Sequence, residues 1–340
     1  MNDQMAEGIR AAFATCDKSD SERIGVPRAT IFESPSSGQR RIWSQVVRYL
    51  LWMELGLFAM NYGTCADPAA AVRVARAAEA AGFESLWTGE HVVLPYPKPE
   101  GFSMPPDLPF LDPIAALTML ATATERVRIA SGIIELPLHN PVLLAKQLAS
   151  VDVISNGRLI AGFGAGYVEP EFDAVGVSLS ERGVRMDEHL DALIELWSGD
   201  PPQYSGRTVS FSGVDAHPRP VQPGGPPIVL GGIKEAARRR AITRAHGWYL
   251  FNTDLDHAAE AMRVIGKEHE RWERPTELGP LEVTMTPVET FDASTLQKYE
   301  ELGVHRLVLL PRPDAPRSDR HLPVPEPEIL QNIERAAALL

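Results

Sequence analysis

From Glu54 onward, short runs rich in β-branched and aromatic residues alternate with longer stretches of helical periodicity, and the alternation repeats eight times. The β-type runs cover residues 54–60, 84–88, 127–134, 158–163, 227–230, 247–251, 281–286 and 305–310. The helical patterns cover 68–81, 112–124, 141–152, 181–197, 234–245, 256–272, 294–302 and 326–340. Strands separated by helices cannot pair through hairpins, so they form a parallel sheet. Eight such units in about 285 residues match one closed (β/α)8 barrel better than an open doubly wound sheet.

The punctuation agrees. Asp67, Asp112 and Asn140 are helix-capping types, each followed by a proline at the first helical position. Gly82, Gly247 and Gly303 stand just past helical patterns, where a left-handed residue is cheapest. Residues 53–340 are therefore read as the barrel domain. Residues 1–52 are an N-terminal extension: 1–37 are rich in Ser, Asp, Arg and Ala and read as a poorly ordered tail, and 40–52 permit a short amphipathic helix. Met53 can equally serve as an internal start, and a chain beginning there is expected to fold.

A net charge of −12 disfavours nucleic acid and anionic lipid, which need clustered positive charge. Two cysteines, Cys16 and Cys65, lie far apart without metal-ligand neighbours, so neither a disulfide framework nor a zinc site is expected, and a reduced cytoplasmic setting is the default. The segment 40–52 has a basic start, but Gln45 and Arg48 interrupt its apolar run and no cleavage site follows, so it is not read as an export signal. No stretch approaches the roughly 20 apolar residues of a membrane span.

In a barrel of this kind chemistry sits at the carboxyl ends of the strands. That rule selects Asn61 and Tyr62, Glu90 and His91, residues 131–135, residues 162–167, and Gly231 and Gly232. Glycine clusters end the fourth and fifth strands. Glycine lets a backbone approach a phosphate, although a tight turn is the commoner reason for one. His91 has an intrinsic pKa near neutrality and precedes a stretch, 92–111, with six prolines, which is expected to cover substrate. A second long stretch, 199–225, carries a hairpin near 208–211. Glu90 reads as a structural neighbour. The histidines at 189, 217, 246, 257, 269, 305 and 321 are dispersed and read as structural.

Five ordered blocks complete the picture: AEAAGFESLW at 78–87 leading to EHVV at 90–93; NPVLLAKQ at 140–147; SNGRL at 155–159 running into GFGAGY at 162–167; RGVRMDE at 182–188; and PIVLGG at 227–232 followed by HGW at 246–248. With these the chain resembles the bacterial luciferase-like monooxygenase superfamily, particularly the branch that uses the deazaflavin coenzyme F420. The resemblance implies a homodimeric oxidoreductase acting on a small molecule, with coenzyme F420 as cofactor, or FMN with molecular oxygen as the alternative; a barrel that binds cofactor without turnover stands as a third reading. It implies His91 as proton donor, with Asn61 near the cofactor, a cis peptide at Gly132-Ile133 behind the ring, and Gly164, Ala165, Gly166, Gly231 and Gly232 on its phosphate. Relatives with an acidic residue after the fourth-strand glycines make Tyr167 the second proton-donor candidate here. On this reading, Gly164→Val or Gly231→Val weakens cofactor binding with little loss of fold.

Overall fold

Eight parallel strands close on themselves in the computed structural model, which describes residues 53–313, 315 and 319–339; the expectations for residues 1–52 lie outside the described residues. The strands are β1 (Glu54–Leu57), β2 (Ser85–Thr88), β3 (Arg128–Ser131), β5 (Leu159–Gly164), β8 (Ile228–Gly231), β9 (Gly247–Thr253), β10 (Glu282–Pro287) and β11 (Arg306–Leu309). They pair in the order β3-β2-β1-β11-β10-β9-β8-β5, and a β3–β5 pairing shuts the ring. A two-residue strand β4 (Ile134–Glu135) pairs with the end of β5. The expected hairpin is present as β6 (Tyr204–Ser205) and β7 (Ser210–Phe211).

Helices α1 (Pro68–Ala80), α2 (Pro113–Ala123), α3 (Pro141–Ile154), α5 (Arg182–Ser198), α6 (Glu235–Arg244), α7 (Leu255–Arg271), α8 (Ala293–Glu301) and α9 (Glu326–Ala337) follow the barrel strands as expected. A short helix, α4 (Glu169–Ala174), is additional. The caps act as the sequence suggests: the side chains of Asp67, Asp112 and Asn140 each accept first-turn backbone N–H bonds, and a proline that has no N–H to satisfy comes next. Gly82 and Gly303 take positive φ at helix ends. Gly247 does not: it opens β9 in the gap between strands, where an added Cβ would stand 3.1 Å from Glu282 O.

The barrel floor is ionic. Arg306 opens β11 and is 1% exposed; its guanidinium donates to Glu84 Oε2 at 2.8 Å, to Glu54 and to Thr284 Oγ1, and lies over the Trp87 ring. Burial would lower its pKa, but the Glu84, Glu54 and Glu282 carboxylates raise it. Above the floor the barrel is filled by Phe58, Trp87, Ala130, Ile160, Val229, Tyr249 and Val308.

The expected third strand, 127–134, breaks at its carboxyl end. Ser131 Oγ donates to Gly162 O and accepts from Gly162 N, both at 2.8 Å, and an added Cβ at Gly162 would lie 1.8 Å from Ser131 O. The next peptide bond, Gly132-Ile133, is cis. The Ile133 side chain then lies against β5 and β8: a Cβ at Gly164 would meet Ile133 Cδ1 at 2.5 Å, and one at Gly231 would meet Ile133 Cγ2 at 3.3 Å. Packing against backbone therefore demands glycine at 162, whereas at 164 a side chain needs Ile133 to move, so the expected small loss of fold in Gly164→Val depends on how far Ile133 gives way.

Two outcomes are expected in chemical denaturation. Arg306→Met should cost about 3 kcal/mol, because it strands carboxylates around a buried site. Gly164→Ala should cost about 1–3 kcal/mol by overpacking and should be partly relieved in the Gly164→Ala/Ile133→Ala double variant. Strict additivity of those two substitutions would show that Ile133 is not what excludes a side chain at 164.

Candidate active site

His91 leaves the end of β2 with its side chain 7% exposed, and its Nδ1 lies 2.9 Å from Glu171 Oε2. Phe102 and Phe110 approach the ring edge-on, with centroids 5.8 and 6.0 Å away. Both come from the proline-rich stretch 92–111, which thus covers His91. Glu171 belongs to α4 and is fully buried; it stands in the first turn, where carboxylates are favoured by the exposed N–H groups. Positive φ at Gly166 turns the chain into that helix, and a Cβ there would strike Phe172 at 2.8 Å.

Glu135 ends β4 opposite Gly164 and is 3% exposed. Burial first, then the neighbouring Glu171 and Glu90 carboxyls, push its pKa up to about 9, so it holds its proton at neutral pH. Glu90 is structural, as expected: one oxygen accepts from the Glu135 N–H at 2.6 Å and the other lies 2.9 Å from His139 Nε2. Burial opposes the charged His139 ring, yet the Glu90 bond and charge raise its pKa overall.

The opposite wall is aromatic. Tyr62 stacks on Phe110 at 4.8 Å and meets Phe58 edge-on, while His321 stacks on Phe251 at 5.9 Å and lies 6.3 Å from Tyr62. Burial, then the charges of His91 and Arg320, lower the His321 pKa to about 4. Four buried polar atoms around this mouth have no hydrogen-bond partner: Tyr62 Oη, Glu135 Oε2, Glu171 Oε1 and His321 Nδ1. Flat apolar walls with a few unsatisfied polar atoms suit a planar, partly polar ring such as a flavin or deazaflavin.

The residues singled out from sequence converge only in part. Gly164 on one side and Gly231 on the other flank Ile133, and β5 pairs with β8 up to Phe163 and Leu230, so the clusters Gly164-Ala165-Gly166 and Gly231-Gly232 do share one rim. Asn61 is fully buried, with its amide spent on the chain: Nδ2 donates to Gly89 O and Leu111 O, and Oδ1 accepts from Gly89 N. It ties both ends of the proline-rich stretch to the barrel. Tyr167 is 69% exposed at the rim, and partial burial with the Glu135 and Glu171 carboxyls raises its hydroxyl pKa. His246 and His305 accept backbone N–H bonds and His189 faces Leu136 O, structural roles as expected. Glu135 lies in the selected stretch 131–135 but its carboxyl was not singled out, Glu171 is an addition, and His321, read from sequence as structural, stands instead in the wall of the mouth. A lone carboxylate in the apolar run Ile133-Ile134-Glu135-Leu136 was a readable signal for the first. Nothing local distinguishes the other two.

Comparison with known proteins places this geometry. The model of the luciferase-like monooxygenase family matches residues 51–304. An uncharacterised protein of Mycobacterium tuberculosis is 31% identical over 278 residues, covering 78% of this chain and 94% of that protein. Among solved structures, the monooxygenase RslO1 from Streptomyces bottropensis superposes with a TM-score of 0.65 at 21% identity, covering 85% of this chain and 98% of that one. The coenzyme F420-dependent tetrahydromethanopterin reductase of Methanopyrus kandleri gives 0.63 at 16% identity, covering 83% and 97%. At these identities the two structures establish the fold alone.

His321 sets a pH dependence. Its folded pKa is depressed, so the stability it contributes as a neutral ring is complete above about pH 6.5 and is lost as pH falls toward 4, by at most about 1.4 kcal/mol per pH unit. His321→Gln should flatten the change in Tm between pH 7 and pH 4.5. An unaltered slope in the folded variant would remove His321 as its source.

Proposed function

This chain belongs to the luciferase-like monooxygenase family, and from that premise we propose that it is a cytoplasmic, homodimeric oxidoreductase that exchanges hydride between coenzyme F420 and a small organic substrate. The observation that carries the reading is the His91–Glu171 pair beneath Phe102 and Phe110. The choice of F420 over FMN rests on the ordered sequence blocks. Coenzyme F420, when bound, supplies or accepts the hydride.

The chain's own part is positioning and proton handling. Backbone groups of Gly164, Ala165, Gly166, Gly231 and Gly232 would hold the cofactor phosphate, and Gly132 and Ile133 would back the ring. Neither glycine segment contains a lysine or arginine, and Lys234 is the first cation to follow. With Glu171 accepting from His91 Nδ1, the Nε2 atom is left to exchange the proton that accompanies hydride transfer. Phe102 and Phe110 stand edge-on to the His91 ring, and that side chain is mostly screened from solvent. Tyr167, at the exposed rim, is the second group able to carry a proton inward from solvent. A non-catalytic barrel would not need a buried carboxylate to orient a histidine at its mouth.

Equilibrium dialysis against coenzyme F420 and FMN, with turnover compared in the presence and absence of oxygen, tests the cofactor. Tight FMN binding with oxygen consumption would replace this reading by the monooxygenase one. His91→Ala should slow single-turnover hydride transfer by roughly 10²- to 10⁴-fold while cofactor Kd changes far less. A defect wholly explained by weaker cofactor binding would reduce His91 to a binding residue.

A further inference from the structure

Three side chains at the inner edge of the mouth converge from three elements: His91 after β2, Glu135 on β4 and Glu171 on α4. One donor atom from each lies within 4.8 Å of the other two. His91 Nδ1 and Glu171 Oε2 are bonded to each other, but Glu135 Oε2 and Glu171 Oε1 are buried with no hydrogen-bond partner. Glu135 is 3% exposed and Glu171 fully buried. Among the described residues, the cationic partners recorded for the mouth carboxyls are the two histidines, in the pairs His91–Glu171 and His139–Glu90. A buried acceptor without a donor costs about 1–3 kcal/mol, and the two carboxyls cannot both ionise side by side without a repulsion that water does not screen. Such a cluster calls for positive charge.

Closure decides what kind. Both unpartnered oxygens are shielded from solvent, which favours a bare ion over an ammonium or guanidinium group carried on an organic molecule. One imidazole nitrogen with two carboxylate oxygens is a donor set for a first-row divalent ion rather than for calcium or magnesium, which take oxygen ligands. Three protein ligands with a further position free is also the arrangement of open zinc sites.

We propose that His91 Nδ1, Glu135 and Glu171 form a binding site for a divalent cation of the zinc type. Bonds of about 2.0–2.2 Å require the three donor atoms, now within 4.8 Å of one another, to draw together. The ion takes the place of the Nδ1 proton of His91 and of the carboxyl proton of Glu135, and both protons pass to solvent. With Nδ1 so occupied, His91 cannot become an imidazolium; on the reading of His91 given above, loading therefore slows turnover. Binding itself does not depend on that reading.

The test uses the full chain, stripped with a chelator and free of added cofactor, titrated calorimetrically with Zn²⁺ and in parallel with Mn²⁺ and Mg²⁺. The expected result is one Zn²⁺ per chain, little or no Mg²⁺ binding, and a rise in Tm with Zn²⁺. Glu135→Gln, Glu171→Gln and His91→Gln, each checked for fold by circular dichroism, should each weaken Zn²⁺ binding at least tenfold and abolish the rise in Tm. Three variants are used so that one folding failure leaves the test intact. Absence of binding in the parent chain overturns the site and leaves a proton as the cluster's only cation. Stoichiometric binding that survives in the folded variants also overturns it, moving the ion to exposed pairs such as His217 with Asp215 or His257 with Asp254. Loss of the His91 rate effect with Zn²⁺ binding intact would refute the hydride-transfer reading and spare the metal site.

Discussion

The Ile133 side chain occupies the space that Cβ atoms at Gly164 and Gly231 would need, and the mouth of the barrel is arranged around that fact. Ser131 clasps Gly162 through two hydrogen bonds at the seam where β3 and β5 close the ring. Immediately beyond, the chain turns so that Ile133 packs under both glycine clusters and β4 resumes pairing with Glu135 opposite Gly164. Just past the seam, one small departure from a regular strand thus lines the two clusters along one rim and delivers a carboxyl to the site. Close packing leaves little alternative, since an interior at crystal-like density cannot absorb an extra methyl group without a neighbour moving.

The two ends of the barrel handle charge differently. At the floor, the buried Arg306 guanidinium is met by Glu54, Glu84 and Glu282, whose outer faces remain partly solvated. Opposite charges there offset desolvation, and the arrangement favours a unique closed register. At the mouth the carboxyls of Glu90, Glu135 and Glu171 outnumber the histidines that face them, and burial strengthens every interaction among them. Glu135 answers by keeping its proton, His321 by refusing one. Stability is concentrated at one end and unresolved polarity at the other, as expected of a barrel whose chemistry sits at the carboxyl ends of its strands.

Much of this was readable from the chain. Eight strand-helix units, their capping residues and the position of His91 all follow from short-range chemistry: side-chain periodicity, proline after a capping residue, and the rule that barrel chemistry sits after strands. The glycine clusters were located correctly but explained incompletely. Read locally, a glycine at a strand end suggests approach to a phosphate; in the fold, Gly162 is required by the Ser131 carbonyl and Gly164 is crowded by the Ile133 side chain, which lie about thirty residues earlier. Asn61 shows the same limit: its position at the end of β1 was readable, but its engagement with Gly89 and Leu111 was not.

By itself the sequence determined the (β/α)8 class, the order of its elements, and the family resemblance that points to a flavin-type cofactor, because each of these rests on local patterns repeated often enough to reinforce one another. Only the tertiary structure decided which titratable groups share the mouth. His91, Glu135, Glu171 and His321 come from four separate segments, and what unites them is burial in one low-dielectric space. Burial is a property of the closed barrel and its covering loop: a carboxyl that holds its proton near pH 9, or a histidine that refuses one above pH 4, has no counterpart in residue spacing.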